Sequence, residues 1–145
     1  MVGFKVISAM KDSSFSKKTI SSLALAVGDL IEQEKGIANW TACDATSNHW
    51  TRKAIVMEAT TTTPTEVLAY ELDGTETVEA NCTNTVSATY NGDTHILTDK
   101  ATVNNTTSDV TGGYPAFYQD RLGSTTTSII GRVIVGNGID PDATG

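Results

Sequence analysis

Two short apolar runs dominate the pattern of this chain. Ala54, Ile55, Val56 and Met57 follow one another without a polar interruption, and Val67, Leu68, Ala69 and Tyr70 repeat the feature after a polar connection. Each run has the length of a strand and is too short for a free-standing helix, and an unbroken apolar run suits a strand covered on both faces. The connection, Thr60-Thr61-Thr62-Thr63-Pro64-Thr65, is polar and β-branched, and Pro64 forces a bend or an edge. The pattern predicts a central hairpin over 54–72, onto which the other strands pair.

Ahead of the hairpin, Phe4, Val6 and Ile7 give way to residues too polar to bury. Residues 1–20 therefore read as an extended arm with Phe4, Val6, Ile7 and Phe15 as apolar anchors, which either reach a neighbour or cover the chain's own body. A strand is predicted over 19–27, a tight bend or bulge at Gly28-Asp29, a short strand at Leu30-Ile31, and another strand over 36–43. Beyond the hairpin, Asp73-Gly74 signals a turn, and 75–80 alternates, with Glu76 and Glu79 among Val78 and Ala80, as a partly exposed edge strand does. Asn91-Gly92, between segments at 86–90 and 95–97, predicts a second hairpin with a type I′ turn. Residues 100–113 read as a long surface loop and 126–135 as the last strand. In that strand Ile129, Val133 and Val135 share a face, and Gly131 marks a bulge or a close approach. A polar tail, 136–145, follows. The organisation is an all-β body over 21–135, a small β-barrel or β-sandwich, between an arm and a tail.

Composition supports strands: threonine fills 24 of 145 positions. The net charge of −7 is unevenly placed, since Lys5, Lys11, Lys17, Lys18 and Asp12 give the first twenty residues +3 and leave −10 for the rest. A basic arm on an acidic body fits an arm that docks elsewhere, or a solvated terminus. The acidic body argues against a nucleic-acid partner, which needs a basic face to release counterions. No run reaches transmembrane length and none resembles a secretory core, so the expectation is a protein made in the cytoplasm without a membrane partner. On that expectation the sequons at Asn39, Asn81, Asn104 and Asn105 are a by-product of abundant Asn and Thr. Cys43 and Cys82 are too few for a disulfide framework, and leave open one bridge or two separate buried thiols.

Motifs for catalysis are sought and not found. Cys43, His49, Cys82 and His95 match no metal-ligand spacing, and the acidic turns at 73–76 and 140–142 lack the spaced oxygen ligands of a calcium loop. There is no GxSxG, and Gly136-Asn137-Gly138 precedes no helix that would complete a phosphate cradle. Neither a catalytic residue nor a metal or cofactor is expected. Trp40 and Trp50 fit either a sugar-stacking platform or ordinary packing.

The Val27-Gly28-Asp29-Leu30-Ile31 step, the strand and loop from Trp40 to Asp44, Ala54-Ile55-Val56-Met57-Glu58, Val67-Leu68-Ala69-Tyr70 and Ser128-Ile129-Ile130-Gly131-Arg132-Val133 together resemble the head-decoration, or capsid cement, proteins of tailed bacteriophages. The resemblance covers about residues 1–135 and departs from the smaller members in the 100–113 loop and the tail. It implies a β-tulip-like body with an extended N-terminal arm, a non-enzymatic role on the outer capsid surface of the virion, and homotrimers that contact the major capsid protein. On that reading Phe4, Lys5, Val6 and Ile7, and after them Phe15, Lys17 and Lys18, contact the capsid or a neighbouring copy by strand addition. The alternative is a carbohydrate- or receptor-binding β-domain of a fibre or adhesin, with Trp40, Trp50 and the 100–113 loop as its contact surface.

Overall fold

In the computed structural model, which describes residues 3–60, 64–106 and 114–141, eleven strands and two single 3-10 turns carry the chain. The strands are β1 (Phe4–Val6), β2 (Phe15–Thr19), β3 (Leu30–Gln33), β4 (Thr41–Ala42), β5 (Arg52–Val56), β6 (Glu66–Glu71), β7 (Val78–Asn81), β8 (Thr94–Asp99), β9 (Thr102–Asn104), β10 (Phe117–Leu122) and β11 (Ser128–Val133). One sheet has the order β1-β7-β11-β10-β8-β9 and curls until a parallel bridge from Cys82 to Val103 brings β9 back to the end of β7. The other has the order β2-β6-β5-β3-β4, and Trp40 N–H donates to Thr19 O at 2.8 Å, linking its two edges. The protein is all-β, a curled half-barrel sheet packed on a second sheet.

The predicted central hairpin is the middle of the second sheet. β5 and β6 pair antiparallel with Ala54 opposite Glu71, Ile55 opposite Tyr70 and Val56 opposite Ala69. Because side chains alternate across a strand, Ile55 and Tyr70 enter the core between the sheets, with Phe4, Leu30, Val78, Phe117 and Ile129. Ala54, Val56, Val67 and Ala69 face the other way into a second core, closed by Ile20, Leu25, Ile31 and Trp40. The unbroken apolar runs are thus covered on both faces. A fully buried aliphatic side chain stabilises the fold by about 1.5–3 kcal/mol, and this hairpin contributes to two cores at once.

Several expectations are corrected. The described part of 1–20 is not an arm apart from the body: β1 pairs with β7 of one sheet, and β2 with β6 of the other. Residues 20–27 are a loop rather than a strand, tied by Thr60 N–H on Leu25 O, Ser22 N–H on Pro64 O and Ile20 N–H on Thr65 O, each at 3.0 Å. Only Thr41–Ala42 of the 36–43 segment is strand. β7 is no edge, since β1 and β11 flank it. The carboxylates of the 75–80 segment are buried because donors meet them: Glu79 of β7 accepts from the Ser124 amide at 2.6 Å and the Ser128 hydroxyl at 2.7 Å, and Glu76, ahead of β7, from the amides of Asp73 and Gly74 at 3.1 Å. Asn91-Gly92 does turn the chain, but Ala88–Tyr90 is a 3-10 turn rather than a strand. Asn91 has φ −61° and ψ 129°, Gly92 has φ +93°, and Asp93 N–H donates to Tyr90 O at 3.0 Å, a type II turn. The 100–113 segment contains β9, and its residues 107–113 lie outside the described ones. The start of the tail is tied down, with Gly136 N–H on Thr51 O at 3.0 Å and Gly138 N–H on Trp50 O at 2.9 Å.

Two positions bind the sheets most tightly. Gly131 of β11 lies against β10 where that strand bulges between Gln119 and Arg121, and a Cβ there would stand 1.7 Å from Tyr118 O. Lys53 of β5 is fully buried, and its ammonium donates to Asn48 O at 2.6 Å and to Ile134 O at 2.8 Å, joining the second sheet to the exit of β11. Nearby, burial pushes the Cys43 thiol well above its ordinary pKa, and burial pushes Cys82 up to about 12; both thiols are free.

Gly131→Ala is expected to lower unfolding stability by about 3 kcal/mol through overpacking against backbone that cannot retreat; a loss below about 1 kcal/mol in chemical denaturation would contradict the close approach. For Lys53→Met the expected loss is about 2 kcal/mol, because two carbonyls lose their donor while the cost of a buried ammonium is relieved. Burial lowers the Lys53 pKa against the smaller upward pull of Cys43 and Glu32. Between that lowered value and the ordinary 10.5 the unfolded chain holds more protons, so stability rises with pH across the window. The gap between wild type and Lys53→Met should therefore widen as pH rises through it, and a gap independent of alkaline pH would contradict the assignment.

Candidate functional site

β1 and β5 belong to different sheets, and a single residue stitches them together. The turn 26–29, closed by Asp29 N–H on Ala26 O at 3.1 Å and by Ala26 N–H on the Asp29 carboxylate at 2.8 Å, holds Gly28 at φ +95°. That is the left-handed value a type II turn asks of its third residue. Gly28 donates to Val56 O at 2.9 Å and accepts from Phe4 N–H at 2.8 Å. Gly3 packs so closely on it that a Cβ would stand 2.5 Å from Gly28 O.

Past this stitch the seam opens. In the ladder between β1 and β7, Asn81 N–H donates to Gly3 O, Ile7 N–H donates to Thr77 O, and Lys5 stands opposite Glu79. Alternate residues of an antiparallel strand turn their backbone groups to opposite sides. The N–H and C=O of Val6 therefore point away from β7, towards an apolar groove of about 310 Å³. Phe4, Val6, Ile55 and Met57 line it, Met10 and Val27 stand at its mouth 48% and 57% exposed, and Lys5 sits on the rim.

Of the residues singled out by the sequence, Phe4, Lys5 and Val6 meet in this groove, with Ile7 exposed one step beyond β1. Phe4 and Val6 are themselves buried, so they form its wall. Phe15, Lys17 and Lys18 lie on β2 in the other sheet and are not brought to the groove. Phe15 meets Tyr70 edge to face at 5.0 Å. Lys17 pairs with Glu58 at 2.8 Å, and that hydrogen bond lowers the Glu58 pKa. Lys11, just before β2, pairs with Asp73 at 2.6 Å and holds its carboxyl well below the usual carboxylate range. Met10, Val27 and Met57 were missed by sequence reasoning. Val27 and Met57 left a trace there, the one as an apolar residue directly ahead of a Gly-Asp bend and the other as the end of the first apolar run, and Met10 left none.

Trp40 is buried, with the Lys18 ammonium 4.8 Å and the Arg52 guanidinium 5.2 Å from its ring centroid. Both cations also bond Glu71, Lys18 at 2.6 Å and Arg52 at 2.7 and 2.9 Å. Burial alone would raise the Glu71 pKa, but these bonds outweigh it and hold the carboxyl down. Trp40 and half-buried Trp50 therefore present no joint stacking face. His95, fully buried, has its Nε2 2.9 Å from the Gln119 side-chain Oε1, and Gln119 Nε2 in turn donates to Ser87 O and Asn91 Oδ1 at 2.9 Å. Among the described residues no buried side-chain nitrogen or oxygen lacks a partner, and no group of three or more His, Cys, Asp or Glu side chains is placed to hold a metal.

Comparison with known proteins leaves the site to be read on its own geometry: no family model matches the chain, and no curated protein or solved structure matches it either.

Proposed function

We propose that this chain is a non-enzymatic structural protein that binds the outer surface of a tailed-phage capsid as homotrimers and stabilises the shell. The observation that carries this reading is the β1 seam, where an apolar groove with exposed Val27 and Met10 lies beside a strand edge whose backbone groups face it. Exposed apolar surface rimmed by polar groups is the usual mark of a contact with another macromolecule. Of the five segments that resemble head-decoration proteins, two line this seam and a third pairs with one of them. Val27-Gly28-Asp29 makes the stitching turn, Ala54 to Glu58 supplies Ile55 and Met57 to the groove, and Val67 to Tyr70 supports it from β6.

The rest of the surface fits the role. Beyond the first twenty residues the chain carries a net charge of −10, which favours solubility for copies crowded on a shell. Cementing needs no chemistry: a ligand that binds the assembled lattice and not its loose subunits stabilises the lattice by mass action, about 2.7 kcal/mol per site at a concentration of 100 Kd.

Purified protein added to undecorated shells of the phage that encodes it should sediment with them and raise their heat-disruption temperature in step with its concentration, until the sites are filled. Protein that stays in the supernatant, with no change in shell stability, would overturn the reading.

A further inference from the structure

We infer that the end of the molecule where β5 begins carries a binding trough for a neutral saccharide chain, with Trp50 as its stacking platform and Glu34, Lys35 and Asn39 as its hydroxyl-binding groups. Three segments meet there: the connection from β3 to β4, the 44–50 loop and the start of the tail. Lys35 N–H donates to Gly138 O at 2.8 Å and Gly138 N–H donates to Trp50 O at 2.9 Å, so the tail is laced between the other two. Gln33 stiffens the connection, its amide donating to Ile37 O at 2.9 Å and Ala38 O at 3.1 Å while its carbonyl accepts from Arg52 at 2.7 Å. The concavity between these segments is built before any ligand arrives, which lowers the cost of binding.

Its shape is extended. A cleft of about 510 Å³ is lined by Trp50, Ile139, Asp140, Glu34 and Lys35. Glu34 and Lys35 also line a second, of about 400 Å³, which Gly36, Ile37 and Asn137 continue. Glu34 and Ile37 line a third, of about 430 Å³, that runs on to Asn39, Asp44 and Asn48. Each has the size of a small-molecule site, and a chain of repeated units uses all three.

The chemistry of the trough selects the kind of chain. Trp50 is half-buried and Ile139 is 45% exposed, an apolar pair on which the C–H face of a sugar ring rests. Sugar hydroxyls both donate and accept, and the trough offers them a carboxylate, an ammonium and an amide side by side. Among the described residues Glu34, Lys35 and Asn39 are exposed, and their side chains take part in no ion pair or hydrogen bond. Phosphate or sulfate groups are disfavoured, since the carboxylates of Glu34, Asp44 and Asp140 outnumber the ammonium of Lys35. A folded protein partner calls for a larger apolar centre than Trp50, Ile37 and Ile139 provide. The trough and the β1 seam lie at opposite ends of β5, Arg52 lining the one and Ile55 and Val56 the other, so a saccharide is held with or without a capsid at the seam.

Cellohexaose, maltohexaose and chitohexaose, with a galacturonate hexamer as the anionic control, are titrated into the full chain and followed by amide and indole chemical shifts. At least one neutral hexasaccharide is expected to shift Glu34, Lys35, Asn39 and the Trp50 indole saturably and to leave Val6 and Val27 unmoved. Glu34→Gln changes an exposed side chain that bonds nothing, and is expected to weaken this binding about tenfold, the scale of one hydrogen bond to a charged group. Trp50→Ala should weaken it at least as much, with folding of both variants checked by circular dichroism; if Trp50→Ala does not fold, Glu34→Gln alone decides. No shift from any neutral hexasaccharide, equal binding of the galacturonate hexamer, or full binding by the folded variants would overturn the saccharide trough. So would undecorated shells that perturb these residues in place of Val6 and Val27, an outcome that would make the trough a protein contact.

Discussion

The burial of one hairpin on both of its faces is the constraint on which the rest of this structure depends. β5 and β6 carry apolar side chains at successive positions, so neither face can be left to water, and each needs its own cover. The curled sheet covers Ile55 and Tyr70. On the opposite face Ala54, Val56, Val67 and Ala69 are covered, among the described residues, by the 20–25 loop and Trp40 rather than by another sheet. Thr60 fixes this lid, accepting from Leu25 N–H at 2.9 Å and donating to Leu23 O at 2.7 Å. Trp40 is in turn held by the cations of Lys18 and Arg52, an arrangement that stabilises partly through the electrostatics of the ring face.

Covering two faces also determines where the surface stays open. Residues 4–19 serve both sheets, β1 extending one and β2 the other, with a segment between them that Tyr70 anchors by accepting from Lys11 N–H at 3.1 Å. A chain that crosses from sheet to sheet leaves a seam, and here Gly28 closes only one end of it. Strand edges that stay open invite pairing with other chains. Among the described residues the other edges carry single ties: β9 has the bridge to Cys82, Asn105 bonds Asn84, and one bond from Trp40 to Thr19 links the ends of the second sheet's edge strands. What sets β1 apart is the apolar groove beside its edge, and the proposed contact rests on that groove.

The sequence revealed what local pattern controls. Unbroken apolar runs marked the central hairpin, Gly28-Asp29 marked the bend, and Gly131 marked a close approach, because each is a property of a few adjacent residues. It misled where a residue's partner decides its role. Glu76 and Glu79 looked solvated because nothing nearby announces that Ser124, Ser128 and two turn amides will meet them. Asn91-Gly92 marked a turn, but the type followed from the 3-10 turn before it, with Asn91 at negative φ. The apolar residues of the first segment gave no sign of which strand they would pair with, so an integral pair of strands read as an arm. For the same reason half of the groove was visible, through Phe4, Lys5 and Val6. The other half, Met10, Val27 and Met57, comes from three separate segments that only the tertiary fold assembles.

The central claim is that this protein belongs to the outside of a capsid, and the most direct measurement is its distribution among particles of the culture that makes it. Density-gradient fractions probed with an antibody to the chain should show it with full capsids, in a copy number close to that of the major shell subunit. Signal confined to the top of the gradient, or present on capsids only in the trace amounts of a fibre, would contradict the account.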